Sequence, residues 1–407
     1  MSELSHKSNR RPAIRFKGFT DPWEQRKFFD NIKRTIDFRG RTPKKLGMDW
    51  SKSGYPALSA LNVKKGYIDP SADVHYGNKE LYEKWMTGKE LYRGQVLFTT
   101  EAPMGNVAQI PDDSKYILSQ RTIAFDVNFD KITNDFLAVL LSSPKSFNEL
   151  SSLSSGGTAK GVSQKSLSSF SVILPTGLEE QQRIATFFKQ LDHLIALHQR
   201  KVEVLQNLKK ALLQRMFASK DNPIPDIRFA GFTDPWEQRK LGEVATTYIG
   251  LVTTMTENYT DQGTLLIRNS DIKEGKFNLN NPIYLNEEFA EKNKTRRMKV
   301  GDVVTVHTGD IGTSAVITKA LDGSIGFATI TTRPSKNLNS NFLSWYFNSD
   351  IHKRYARRMS TGDGRSNYNM KDFNKNIIAM PKLKEQQKGG LLFNCLDNLI
   401  TLHQREP

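Results

Sequence analysis

The chain has 407 residues, 37% of them hydrophobic, enough for two or three domains that each bury a core. Lys and Arg total 59 against 43 acidic residues, a formal charge of +16, so a polyanionic partner is expected: nucleic acid first, an acidic membrane or protein second. The single cysteine, Cys395, excludes an intrachain disulfide, no apolar run approaches the ~18 residues of a membrane span, and the N-terminus MSELSHKSNRR leads into no apolar signal core, so a cytoplasmic protein with no membrane partner is expected.

In chain order the first marked block is PAIRFKGFTDPWEQRK (12–27). Its Asp21-Pro22 pair forms a turn, and Trp23 is expected to pack at the start of a domain rather than to touch a ligand. RGRTPKK (39–45) is a turn rich in cations, and GQVLFTTEAPMG (94–105) reads as a strand running into a turn. ITNDFLAVLLSSPKSFNEL (132–150) reads as helical, GGTAKGVSQKSL (156–167) as a glycine-rich loop, and FSVILP (170–175) as a strand closed by proline. From Glu179 to about Ser219 there is no Gly or Pro. Ile184, Phe188, Leu191, Ile195, His198, Val202, Leu205, Leu208, Leu212 and Met216 recur at steps of three and four, a heptad-like seam on a helix of roughly 60 Å.

The series then repeats. PDIRFAGFTDPWEQRK (225–240) restates the first block, and GDVVTVHTGDIG (301–312) aligns with 94–105. NSNFLSWYFNSDIHKRYARRM (339–359) is the second helical run, and GDGRSNYNMKDF (362–373) aligns with 156–167. NIIAMP (376–381) follows, and LKEQQKGGLLFNCLDNLITLHQR (383–405) echoes LEEQQRIATFFKQLDHLIALHQR (178–200). A repeat this long indicates duplicated domains, not a solenoid. The expected fold is α/β: two α/β domains joined by long helices as an antiparallel coiled coil, with pseudo-two-fold internal symmetry. The expected segments are 1–177, a central helix 178–220, 221–382, and a shorter helix 383–407. His198 and His403 fall at matching seam positions and are expected to form a polar layer that fixes register.

Signs of catalysis are weak. GGTAKGVS lacks the lysine of a phosphate-binding loop, since Val162 stands in its place. NPIY (281–284) reads as a turn before a strand, and PDDSK (111–115) as a solvated hairpin. The seven histidines and one cysteine show no zinc spacing, so no catalytic residue, cofactor or metal is assigned to the chain.

Two nearly identical frameworks flank domains that diverge, as expected if each domain reads a different half of a DNA site at fixed spacing. Phosphates call for Lys and Arg, and base edges for Arg, Asn, Gln, Ser and Thr on loops. The first-domain candidates are Arg41, Lys44, Lys45, Lys64, Lys65, Thr99, Thr100, Lys160, Gln164 and Lys165. The second-domain candidates are Thr253, Thr254, Arg268, Asn269, His307, Thr308, Arg365, Asn367 and Tyr368.

On WEQRKLGEV (236–244), LEEQQRIATFFKQLDHLI (178–195), RGRTPKK, GDVVTVHTGDIG and LKEQQ (383–387), the chain resembles the specificity subunit of type I restriction–modification systems over nearly its whole length. The resemblance implies two target recognition domains that read a split asymmetric site in double-stranded DNA. It also implies helices that act as a ruler and dock two modification subunits. Those partners would methylate adenine with S-adenosylmethionine, and restriction subunits would bring ATP- and magnesium-dependent translocation and cleavage. The chain departs from the family pattern in its shorter second helix and in Gly389 and Gly390, which replace Ile184 and Ala185 of the first copy at about 1 kcal/mol each relative to alanine. The alternatives are a stand-alone DNA-binding regulator that dimerises through 201–217, and a methyltransferase or nuclease acting alone.

Overall fold

The computed structural model describes residues 11–154, 161–219, 221–253, 255–360 and 367–405. They divide into two compact units, Met1–Leu194 and Ile195–Pro407, and each follows one plan.

In the first unit, β1 (Glu24–Lys27) supplies the EQRK of the repeated block. It pairs antiparallel with β8 (Ser171–Leu174), the proline-closed run. Between them lies an antiparallel sheet of β2 (Ile32–Asp37), β4 (Val96–Thr99), β5 (Val107–Gln109) and β7 (Thr122–Val127), in the order β2-β7-β4-β5. A short strand, β3 (Tyr55–Leu58), lies parallel to β6 (Ile117–Leu118). Helix α1 (Lys79–Met86) covers this smaller sheet, with Leu81, Trp85 and Met86 in its core.

The second unit repeats the pairing. β9 (Glu237–Lys240) meets β16 (Ile377–Met380). The main sheet is β10 (Ala245–Ile249), β12 (Val303–Val306), β13 (Ser314–Val316) and β15 (Thr329–Pro334), in the order β10-β15-β12-β13. β11 (Thr264–Arg268) lies parallel to β14 (Ile325–Phe327).

The two predicted helical runs each break in the middle. The first becomes α2 (Asn134–Ser142) and α3 (Pro144–Ser152), because a residue before proline is pushed out of the helical region and Ser143 caps the second piece through the Ser146 amide, 3.2 Å away. The other becomes α6 (Ser340–Asn348) and α7 (Asp350–Met359), with Ser349 extended between them. The glycine-rich loops end at short helices, α4 (Gln164–Ser169) and α8 (Met370–Asn374), capped by Ser163 and Asn369.

Helix α5 (Leu178–Arg215) runs 38 residues, and α9 (Leu383–Arg405) runs 23. Within the second unit, α5 and α9 are antiparallel: Lys209 bonds Asp397 at 2.6 Å, and the His198 and His403 rings lie 5.5 Å apart. Leu205, Leu212, Leu213 and Met216 join Phe393 and Leu396 in the core. The predicted seam is not filled throughout, since Phe188, Leu191 and Ile195 are 43%, 37% and 42% exposed. Gly390 has a packing reason: a Cβ there would come within 2.8 Å of Asn341 Cβ and 3.0 Å of the Phe342 amide, so it admits the start of α6 against α9.

Candidate nucleic-acid interface

The repeated framework holds each site from below. In the first unit Arg15 grips the buried Glu180 at 2.6 and 2.7 Å, and Trp23 Nε1 donates to the same carboxylate at 3.2 Å. The next residue, Gln181, is fully buried and bonds the Lys131 and Pro175 carbonyls and the Thr133 amide. Arg228 and Glu385 repeat the first contact at 2.7 and 2.9 Å. Gln386 repeats the second with Asn337, Pro381 and Asn339. Trp236 packs on Phe342 at 5.6 Å, as the sequence suggests for a domain anchor.

Above this framework, both units bring the glycine-rich loop to the same strand end. Val162 N donates to the Thr100 carbonyl at 2.9 Å, and Tyr368 N donates to the His307 carbonyl at 3.0 Å. The next turn passes through Gly105 or Gly312, at φ 88° and 85°. A Cβ would strike Phe147 in the first case and crowd His352 in the second. Arg121 (φ 64°) and Ala328 (φ 50°) hold left-handed backbone just before β7 and β15, and non-glycine residues in that region cluster at functional sites.

In the second unit the strand end collects five predicted residues: Asn269, His307, Thr308, Asn367 and Tyr368. Asn269 Oδ1 accepts from the His307 amide and its Nδ2 donates to the Ala328 carbonyl, each at 3.0 Å. Thr308 bridges Asn367, which is exposed. Burial depresses the His307 pKa, so its ring is neutral at physiological pH, with Nδ1 3.0 Å from the Thr308 hydroxyl. Tyr368 corrects its assignment: its ring is fully buried against His352, Tyr355 and Phe373, and burial raises its hydroxyl pKa. Arg268 is also turned away, locked onto Asp271 at 2.7 and 2.9 Å and onto the Asn281 carbonyl. Thr253 is exposed, and Thr254 and Arg365 lie outside the described residues.

In the first unit Lys44, Lys45, Lys65, Gln164 and Lys165 are exposed. Lys45 bonds the Gly40 carbonyl at 2.7 Å, and Lys64 is half-buried in a turn closed by its amide on the Tyr67 carbonyl. Arg41 is partly structural, with its guanidinium 4.6 Å over the Phe38 ring and bonded to the Trp85 carbonyl. Gln164 reaches Asp37 at 3.3 Å. Burial raises the Asp37 carboxyl pKa, but bonds from Arg39 and Gln164 prevail and hold it below its ordinary value. Thr99 and Thr100 are corrections: both are buried, with hydroxyls bonded to the Asn106 amide and the Arg121 carbonyl, so they shape the strand end and present no edge to DNA. Lys160 lies outside the described residues.

The sequence reading passed over a cleft of about 600 Å³ at this strand end, lined by Arg41 and Lys44 together with Trp50, Leu61, His75, Gln120 and Arg121. Arg121 projects there beside Glu101, 3.2 Å away. A Gln-Arg pair ahead of a strand was the available signal. Among the described residues no group of three His, Cys, Asp or Glu side chains is placed to hold a metal, and no helix is long and apolar enough to cross a membrane.

A duplicated α/β framework that carries differently furnished polar loops at one strand end defines a two-domain recognition protein. Comparison with known proteins identifies the kind. The family model "Type I restriction modification DNA specificity domain" matches residues 22–207 and 233–407, so the chain belongs to that family. It is similar to the type I restriction enzyme MjaVIII specificity subunit of Methanocaldococcus jannaschii, 23% identical over 95% of this chain and 88% of the relative. It is also similar to the EcoBI specificity subunit of Escherichia coli, 21% identical over 83% of this chain and 72% of the relative. The type I restriction–modification S subunit from M. genitalium shares the fold, with a TM-score of 0.58 at 13% identity over 97% of this chain and 94% of that one. The chain is a specificity component and not a catalytic one.

Proposed function

We propose that the chain reads a bipartite, asymmetric site in double-stranded DNA, one half through each domain, within a type I restriction–modification complex. The observation that carries this is the pairing of matched frameworks, Arg15–Glu180 and Arg228–Glu385, with strand-end loops of different chemistry. The exposed Asn367 and half-buried His307 and Thr308 are the second-domain readers, and Lys44, Lys45, Gln164 and Lys165 contribute in the first. The long helices set the gap between half-sites, and the exposed stripe of Phe187, Phe188, Leu191, Leu194 and Ile195 docks modification subunits, since contiguous exposed apolar surface marks protein contacts. S-adenosylmethionine serves those subunits, and ATP with magnesium serves restriction subunits.

The test is to co-express the chain with a cognate modification subunit in a methylation-free host and map modified adenines. A split motif with a fixed gap is the expected result, and replacing residues 28–177 by another domain should change one half only. Soluble partners that leave no new methylation, or a swap that alters both halves, would refute the reading.

A further inference from the structure

Helix α7 has two faces of opposite character. His352 and Ala356 are buried, while Arg354, Arg357 and Arg358 are exposed. Four other arginines of the second unit are held by carboxylates: Arg228 by Glu385, Arg268 by Asp271, Arg297 by Glu287, Arg333 by Asp302. Among the described residues the three α7 guanidiniums have no carboxylate partner, and Arg354 Nε donates to the Asp350 carbonyl within the helix. They line a cleft of about 1040 Å³ together with Lys375, whose ammonium bonds Asp372 at 3.2 Å, and Asp221, the one carboxylate in the lining. Arg357 also borders a second groove beside Lys210 and Lys276, where Lys353 and Lys209 already hold Glu274 and Asp397, each at 2.6 Å.

The first unit shows what this surface replaces. Ser143 and Ser349 stand at equivalent cap positions, so α3 and α7 align residue by residue. The buried pair Ser146 and Leu150 corresponds to His352 and Ala356, which fixes the register. Arg354, Arg357 and Arg358 then correspond to Asn148, Ser151 and Ser152. By the matching caps Ser163 and Asn369, Lys375 corresponds to Ser169. Four cations on one domain are four neutral polar residues on the other.

We propose that the α7 face is a phosphate-binding surface that holds the DNA backbone to the second domain, with no counterpart on the first. It rests on the proposed function. The partner is DNA because the helix is continuous with the candidate interface: His352 lies against Gly312 of the strand-end turn, and Tyr355 packs on Tyr368, whose amide closes that strand end. Three guanidiniums on successive helical turns with no carboxylate bonded to them, in a cleft whose one lining carboxylate is Asp221, suit a phosphate row better than a mixed protein surface. Contacts of this kind add affinity and salt dependence but read no bases.

The experiment measures binding of the full chain to a random-sequence DNA duplex over a salt series, for the unaltered protein and for Arg354→Gln/Arg357→Gln/Arg358→Gln. The expected result is weaker binding and a log–log salt slope shallower by about 2.7, at ~0.9 per lost phosphate contact. The matching triple Lys variant should keep the slope, which separates lost charge from lost folding. Unchanged affinity and slope in the Gln variant overturn the inference while leaving the proposed function standing. So does an unchanged DNA slope with lost retention of the modification subunit, which would assign the face to a protein. If the unaltered chain fails to bind the duplex at any salt, the proposed function falls and this inference with it.

Discussion

In the first domain the Thr100 amide donates directly to the Arg121 carbonyl at 2.8 Å; in the second, the equivalent His307 amide reaches the Ala328 carbonyl only through the side chain of Asn269. The same strand end is thus closed in two ways. Where the backbone closes it, Arg121 points outward at the rim of a cleft. Where an asparagine closes it, the rim residue is an alanine, and His307, Thr308 and Asn367 crowd together instead. The comparison teaches that the loops diverge while their attachment does not. Glu180 and Glu385 each keep an arginine, and Gln181 and Gln386 each keep two carbonyls and an amide, although Trp23 also donates to Glu180 while Trp236 packs on Phe342, because a buried carboxylate or amide tolerates few alternatives.

The sharpest way to break that equivalence is to remove its carboxylates. Glu180→Ala and Glu385→Ala each strand a mostly buried arginine, and each should cost about 3–5 kcal/mol by chemical denaturation. A large loss in one variant only would show that the frameworks are not interchangeable. Acid should separate the domains. Burial depresses the His352 pKa from 6.5 to about 3, so the unfolded chain binds the proton more readily. The associated stability is complete above pH 6.5 and is lost as the pH falls through the window down to about 3, at up to ~1.4 kcal/mol per pH unit. Ser146 occupies this position in the first domain and confers no such dependence. His352→Phe should flatten the second domain's stability profile between pH 6.5 and about 5, read by denaturation across a pH series.

Asn269→Ala should cost about 1–3 kcal/mol, by leaving the His307 amide and the Ala328 carbonyl without their bridge. A smaller loss would mean the two backbone groups close on each other as Thr100 and Arg121 do. The smallest effects test α9. Gly389→Ala meets nothing nearer than 3.8 Å and should gain up to about 1 kcal/mol of helix propensity. Gly390→Ala should instead lose about 1 kcal/mol or more through contact with Asn341 and Phe342, although Ala185 is accepted at the equivalent place in the first copy.

What was legible in the sequence was whatever a short stretch decides or repeats. The EQRK strands, the proline-closed strands, the helix from 178 and the duplicated order are all present as read. The breaks at Ser143 and Ser349 were missed, although Ser143-Pro144 carried a local signal for one of them. The site was legible as loops but not as side chains. Thr99 and Thr100 were chosen as polar strand-end residues, and the fold buries them; Arg268 was chosen as a cation, and Asp271 takes it. Arg354, Arg357 and Arg358 were given no role in the sequence, and only the fold shows that Glu274 and Asp397 in the neighbouring groove are held by Lys353 and Lys209.

The sequence by itself determined the repeat, the strand and helix signals and the excess of positive charge, because each is a property of the chain read locally or summed along it. Only the tertiary structure decided which polar groups stay available to a ligand. That choice depends on partners far apart in the chain, as Asn269 is from Ala328 and Arg15 from Glu180, and burial and hydrogen bonding consume a side chain only when the fold brings such partners together.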